Sequence, residues 1–184
     1  MLDIIFFAIT VIWLLEFVFF RDRKPAGETN REKRSFYWII GALVFTIALS
    51  VFSREVNLFL LPESLGLYVL GLIVYGAGVA LRYWGIMKLG MMFSRDVAVE
   101  SSVDLVSSGP YRILRHPLYT AILLCAIGIA IYLGSVLGLL SVIATVVPAL
   151  LYRMVIEERM LVQELGNGYK SWCETRYRFI PYLY

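Results

Sequence analysis

"RHPLYTAILLCAIGIAIYLGSVLGLLSVIATVVPALLYRMVIEE", residues 115–158, decides how the chain reads. Its two apolar runs, Pro117–Leu133 and Ser135–Ile156, are separated by Gly134 alone. That spacing predicts two helices folded into a tight antiparallel hairpin. Charged residues and the single histidine stand only at its ends: Arg115 and His116 before the first run, and Arg153, Glu157 and Glu158 closing the second. Each run is close to the roughly 20 residues that a helix needs to cross a bilayer.

Working outward, three more apolar runs appear at Leu2–Phe20, Phe36–Phe52 and Leu65–Arg82, five in all. Of the 184 residues 60% are hydrophobic and the mean hydropathy is +0.75. Soluble domains average about 45–50% apolar, so the excess identifies lipid as the solvent. The expected fold is an all-α integral membrane protein, one domain over 1–184, with loop 83–116 and tail 157–184 building its polar region. The first run has no basic segment before it and no small-residue cleavage site after it, so it reads as a retained span. A net charge of +3 is too mild for a nucleic-acid binder.

Cations in the loops set the expected orientation. Arg21, Arg23, Lys24, Arg31, Lys33 and Arg34 crowd the first loop, whereas the second holds only Arg54. Lys88, Arg95, Arg112 and Arg115 mark the third loop, and Arg159, Lys170, Arg176 and Arg178 the tail. The positive-inside rule puts these regions in the cytoplasm and the N-terminus outside. Gly71, Gly76 and Gly78, with Gly134 and Gly138, read as packing residues.

Pro117 suits the first position of a helix, where its missing N–H has no partner to lose, which makes His116 the cap. Arg115 and the helix dipole favour an anion there. Tyr111 and Tyr119 add hydroxyls, and an interfacial girdle of His, Arg and Tyr is the plainer alternative. Arg153 and Glu157, four apart, share a helix face, but in the order that is less favourable for a simple intrahelical pair. Ionisable groups at the end of an apolar span are more often functional. Pro148 should bend the last span and open a cleft toward His116. Glu16 reads as interfacial, about a turn from Arg21. The tail, rich in Tyr and Trp, is expected to anchor at the headgroups or to fold back over a site. Cys125 and Cys173 form no CxxC pair, so neither a disulfide framework nor a metal centre is expected. GxGxxG, GxSxG and HExxH are all absent.

Taken together, "LVSSGPYRILRHPLY" (105–119) and "RMVIEERMLVQELGNGYKSW" (153–172) resemble the isoprenylcysteine carboxyl methyltransferase family and, more broadly, a group that includes phospholipid methyltransferases. The likeness covers roughly residues 85–184. It implies a multi-pass membrane enzyme that uses S-adenosylmethionine on a lipid or prenylated acceptor, most naturally a carboxylate such as isoprenylcysteine. Carried over by motif, Val103, Asp104, Leu105, Val106, Tyr111, His116, Pro117, Leu118, Tyr119 and Glu157 would bind the cofactor. Arg153 would hold the acceptor, with Arg153 and Glu157 as the catalytic pair and Glu158 as a second carboxylate. Loop 91–110 would gate the pocket. Thr120-Ala121 departs from the family, whose members often carry a glycine soon after this tyrosine. The tail is also similar to that of membrane sterol reductases, which bind NADPH, although their HPNYxGD element is missing. A non-catalytic scaffold is the remaining alternative, in which Arg153 and Glu157 would pair only with each other.

Overall fold

A computed structural model describes residues 1–20, 30–90 and 105–181, without the side chains of Phe17 and residues 30–33. All five apolar runs are helical: α1 (Leu2–Phe19), α2 (Asn30–Glu55), α3 (Leu65–Leu89), α4 (Pro117–Tyr132) and α5 (Val136–Leu165). A short helix, α6 (Asn167–Glu174), follows, and a 3₁₀ turn (Gly109–Arg112) precedes α4. No strand occurs among the described residues. The helices outrun the apolar segments, since α5 continues to Leu165 where hydropathy placed its end at Ile156. Hydropathy marks the lipid-facing length, whereas the extension "EERMLVQEL" is made of strong helix formers.

Three segments are long and apolar enough to cross a membrane: Arg34–Glu55, Leu65–Leu89 and Val136–Leu165. α4, with 16 residues, is a shorter apolar helix. Large apolar side chains point away from the bundle on several helices, among them Ile4, Phe7, Val44, Ile73 and Ile143. Surfaces of that kind are stable against lipid rather than water, and the chain is a membrane protein.

A glycine seam joins α3 to α4. Gly71, Gly78 and Gly85 recur every seven residues, and a Cβ on each would lie 2.6 Å from Tyr132 N, 2.8 Å from Cys125 N and 2.6 Å from Leu118 Cδ2 respectively. A Cβ on Gly128 of α4 would intrude on the backbone of Tyr75 in α3. The two helices run antiparallel with their backbones nearly touching, the arrangement small residues permit in lipid. Gly76, grouped with this set in the sequence, faces α1 instead, with Ile9 Cδ1 3.8 Å from its would-be Cβ.

The α4–α5 turn is as tight as expected. Gly134 takes φ +67°, and Ser135 caps α5 by accepting from Gly138 N at 2.9 Å. Leu61 N–Gly134 O (2.7 Å) and Val136 N–Phe59 O (3.0 Å) bind this turn to the α2–α3 loop. Within α5, residues Val142–Val146 are π-helical, and Pro148 is the second residue of the α-helical restart at Val147. Its missing N–H therefore falls where the wider turns give way to ordinary ones. Pro148 was expected to bend this helix, and the structure shows a π segment ending just before it.

At the opposite end of the bundle the buried ionisable groups collect: Glu16, Arg82, His116 and Arg153. Glu16 was expected to be interfacial, near Arg21. It is fully buried and paired with Arg82 of α3, whose Nη2 lies 2.7 Å from Glu16 Oε1 while Nε binds the other oxygen. The packing of α1 on α3 encloses the carboxylate, and a two-pronged guanidinium is the partner that makes such burial tolerable. The neighbour expected for it, Arg21, lies outside the described residues.

Gly128→Ala should lower the melting temperature of the detergent-solubilised protein, by the equivalent of about 1–3 kcal/mol of overpacking. Gly41→Ala, where nothing lies within 4 Å of the added Cβ, should leave it unchanged or slightly raised.

Candidate functional site

Pro117 starts α4, and its ring fixes the backbone there. His116, the N-cap, makes no side-chain bond to its own helix and reaches across to α5. Its Nε2 is 3.1 Å from Glu158 Oε1 and its Nδ1 is 3.7 Å from Glu157 Oε2. The imidazole is almost wholly buried. One turn along α4, the Tyr119 hydroxyl donates to Glu157 Oε2 at 2.7 Å and accepts from Arg153 Nε at 3.2 Å. Arg153 and Glu157 therefore share a partner on α4. Arg153 also donates from Nη1 to the buried Ser35 Oγ of α2 at 2.8 Å, and its guanidinium lies 5.9 Å from the Phe36 ring centre. Three helices thus converge on one polar knot.

Beneath it Val146, Leu150 and Met154 of α5 are fully buried against Ile122 and Ala126 of α4. This apolar floor keeps water from the inner side of Arg153, which is itself only 3% exposed. Polar contacts in so dry a setting are stronger than in water and expensive to leave unmade.

The tail folds back. Tyr177 N donates to Ile113 O at 2.9 Å and Arg115 N to Tyr177 O at 2.8 Å, pairing the tail with the segment before His116. Arg115 was expected to supply a positive charge for an anion. It also donates from Nε to Arg176 O and from Nη2 to Cys173 O, both at 3.0 Å, because the returning tail brings carbonyls within its reach. Arg176 in turn donates from Nε to Tyr111 O at 2.8 Å and stacks on Trp172 at 4.4 Å. Thr120 Oγ1 donates to Phe179 O at 2.6 Å, and the Phe179 side chain is buried in the core beside Met154. A pocket of about 390 Å³ opens here, lined by Arg115, Glu158, Arg176, Tyr177 and Arg178.

The structure brings His116, Tyr119, Arg153 and Glu157 together, with Glu158 on the far side of the imidazole. Pro117 is buried as the first residue of α4. Leu118 packs toward Gly85 in the seam with α3. Tyr111 is buried in the 3₁₀ turn, where burial first and the charge of Glu157 second push its phenol far above the usual range. Leu105 and Val106 are half-buried, while Val103, Asp104 and the 91–104 part of the expected gating loop lie outside the described residues. Ser35, Arg82 and Arg178 were missed in the sequence. A serine at the head of an apolar helix and an arginine in a basic tail carry no spacing signal toward a site over a hundred or twenty residues away. Among the described residues no group of three or more His, Cys, Asp or Glu side chains could hold a metal.

The sequence pattern of the isoprenylcysteine carboxyl methyltransferase (ICMT) family matches residues 69–163, which contain α4, all of α5 but its last two residues, and every residue of the polar knot contributed by them. A probable protein-S-isoprenylcysteine O-methyltransferase of Oryza sativa subsp. japonica is 24% identical over 115 residues, 61% of this chain and 60% of the relative. Protein-S-isoprenylcysteine O-methyltransferase A of Arabidopsis thaliana is 26% identical over 145 residues, 77% of this chain and 74% of the relative. The Schizosaccharomyces pombe protein-S-isoprenylcysteine O-methyltransferase is 29% identical over 108 residues, 58% of this chain and 46% of the relative. The chain therefore spans about 60% of the length of the rice relative. It belongs to the isoprenylcysteine carboxyl methyltransferase family.

Tyr119→Phe removes the donor to Glu157 and the acceptor of Arg153 at once. Thermal unfolding in detergent should show a loss of about 1–3 kcal/mol, the cost of buried polar groups left unpaired. Tyr152→Phe, on the half-exposed face of α5, should cost far less.

Proposed function

We propose that the chain is an S-adenosylmethionine-dependent methyltransferase of the membrane, acting on a carboxylate carried by a lipid-like or prenylated acceptor such as an isoprenylcysteine. The observation that supports this reading best is the Arg153–Tyr119–Glu157 bridge, which ties the RHPLY element of α4 to the family's arginine and glutamate on α5. The topology that goes with it is five crossings, with the N-terminus outside and the polar knot on the cytoplasmic side. α1 to α5 alternate in direction, so the ends of α1 and α3 and the starts of α2 and α4 share the knot's end with the end of α5.

The residues present suit the donor. S-adenosylmethionine carries two cationic centres and a carboxylate. Glu157, whose side chain is 27% exposed, offers a carboxylate toward those cationic centres at the mouth of the site. When bound, the donor supplies a methyl group on a sulfonium sulfur; its S–C bond breaks as an O–C bond forms on the acceptor, leaving a thioether and a methyl ester.

An ionised carboxylate is already nucleophilic at neutral pH, so the site has no need of a general base. Alignment and electrostatics are what remains for the protein to supply. Arg153 does the aligning, because its planar fork is held by Tyr119 and Ser35 and backed by Phe36. Glu157 faces the positive charge of the donor and is itself fixed by the Tyr119 hydroxyl. His116 and Tyr111 form the wall on the α4 side. The apolar floor of Leu150 and Met154 excludes water that would compete for the guanidinium.

In thermal-shift measurements on the full chain in detergent, S-adenosylmethionine and S-adenosylhomocysteine should raise the melting temperature and NADPH should not. The reverse pattern would favour a reductase, and no response to any of them a scaffold. Arg153→Lys keeps the charge but not the fork. It should lower turnover about tenfold or more, the worth of one charge-assisted hydrogen bond, with donor affinity by calorimetry changed only a few-fold.

A further inference from the structure

The geometry points to Arg178 and Glu158 as positioning residues that set the orientation and tautomer of His116 from outside the site. This rests on the proposed function, in which His116 lines the donor pocket. Glu158 is held on two sides. Arg178 grips it as a fork, Nε 3.1 Å from Oε1 and Nη2 2.7 Å from Oε2, and Arg115 Nη1 stands 3.7 Å from Oε1. The same Oε1 meets His116 Nε2 at 3.1 Å. An ionised carboxylate only accepts, so Nε2 must carry a hydrogen, and a flipped ring would set a carbon against Glu158 instead.

On the other edge of the imidazole, Nδ1 faces Glu157 Oε2 at 3.7 Å, and the Tyr119 ring lies 5.6 Å away, centre to centre. The ring orientation chosen by Glu158 therefore decides which nitrogen looks into the site. Arg178 is delivered by its neighbours, since Tyr177 pairs with the backbone at Ile113 and Arg115, and Phe179 is seated in the core. The tail thus contributes to the site through a carboxylate, touching neither the donor nor the acceptor.

His116 is the only histidine in the chain, so its ring can be observed without assignment. The full chain, labelled with ¹⁵N-histidine and held in detergent micelles, should give one set of imidazole correlations with a slowly exchanging Nε2–H. Arg178→Gln should shift or abolish that signal and weaken S-adenosylmethionine binding by on the order of tenfold, the worth of one charge-assisted hydrogen bond. Arg178→Lys, which keeps a charge without the fork, should restore part of both. If Arg178→Gln fails to fold, Arg178→Lys carries the test, and its signal must still differ from the wild type. Tyr152→Phe, half-exposed on α5 and outside this chain of contacts, should leave the imidazole signal in place. An unchanged signal in the Arg178 variants, or an equal change in Tyr152→Phe, would overturn the inference. If the signal responds but the wild type binds no S-adenosylmethionine, the His116–Glu158–Arg178 chain stands and the donor reading falls.

Discussion

One phenol holds the polar end of this molecule together. The Tyr119 hydroxyl has a single proton to donate and gives it to Glu157, while its lone pair receives Arg153. Because the guanidinium also reaches Ser35, this hydroxyl links α2, α4 and α5 around one point. A buried guanidinium beside a carboxylate is costly unless its hydrogen bonds are directed. The hydroxyl directs them, and it leaves Glu157 partly open at the mouth of the site.

Two features of the bundle make that convergence possible. The α3–α4 seam, in which Gly71, Gly78, Gly85 and Gly128 admit no side chain, fixes the height of α4 and so of His116 and Tyr119. The one-glycine turn at Gly134 then sends α5 straight back along α4, and its length carries Arg153 and Glu157 to the level where α4 began. The tail closes the arrangement by pairing with the chain just before His116 and by seating Phe179 in the core. On the proposed reading, the donor meets a wall made by the start of α4 and the end of α5, which the tail braces from behind.

Much of this was legible beforehand. Apolar runs of sufficient length have few outcomes in lipid, so the helices and the hairpin followed from hydropathy and from Gly134. Pro117 announced the start of α4, and the four-residue spacing of Arg153 and Glu157 placed them on one face. Contacts between remote residues were not legible. Nothing local links Glu16 to Arg82. The hydrogen bonds of Arg115 were hidden because the carbonyls that engage it belong to a tail about sixty residues later. Gly85 went unnoticed because it stands beyond the apolar run, although it continues the seven-residue spacing of Gly71 and Gly78. Helix ends were misjudged wherever good helix formers carried the backbone past the apolar boundary.

The central claim is that the start of α4 and the end of α5 form one donor site. Photolabelling the full chain in detergent with an azido analogue of S-adenosylhomocysteine, followed by peptide mapping, tests it most directly. The account predicts label on peptides from both 105–119 and 153–172, displaced from both by unlabelled S-adenosylmethionine. Displaceable label on neither segment, or on only one of the two, would contradict it.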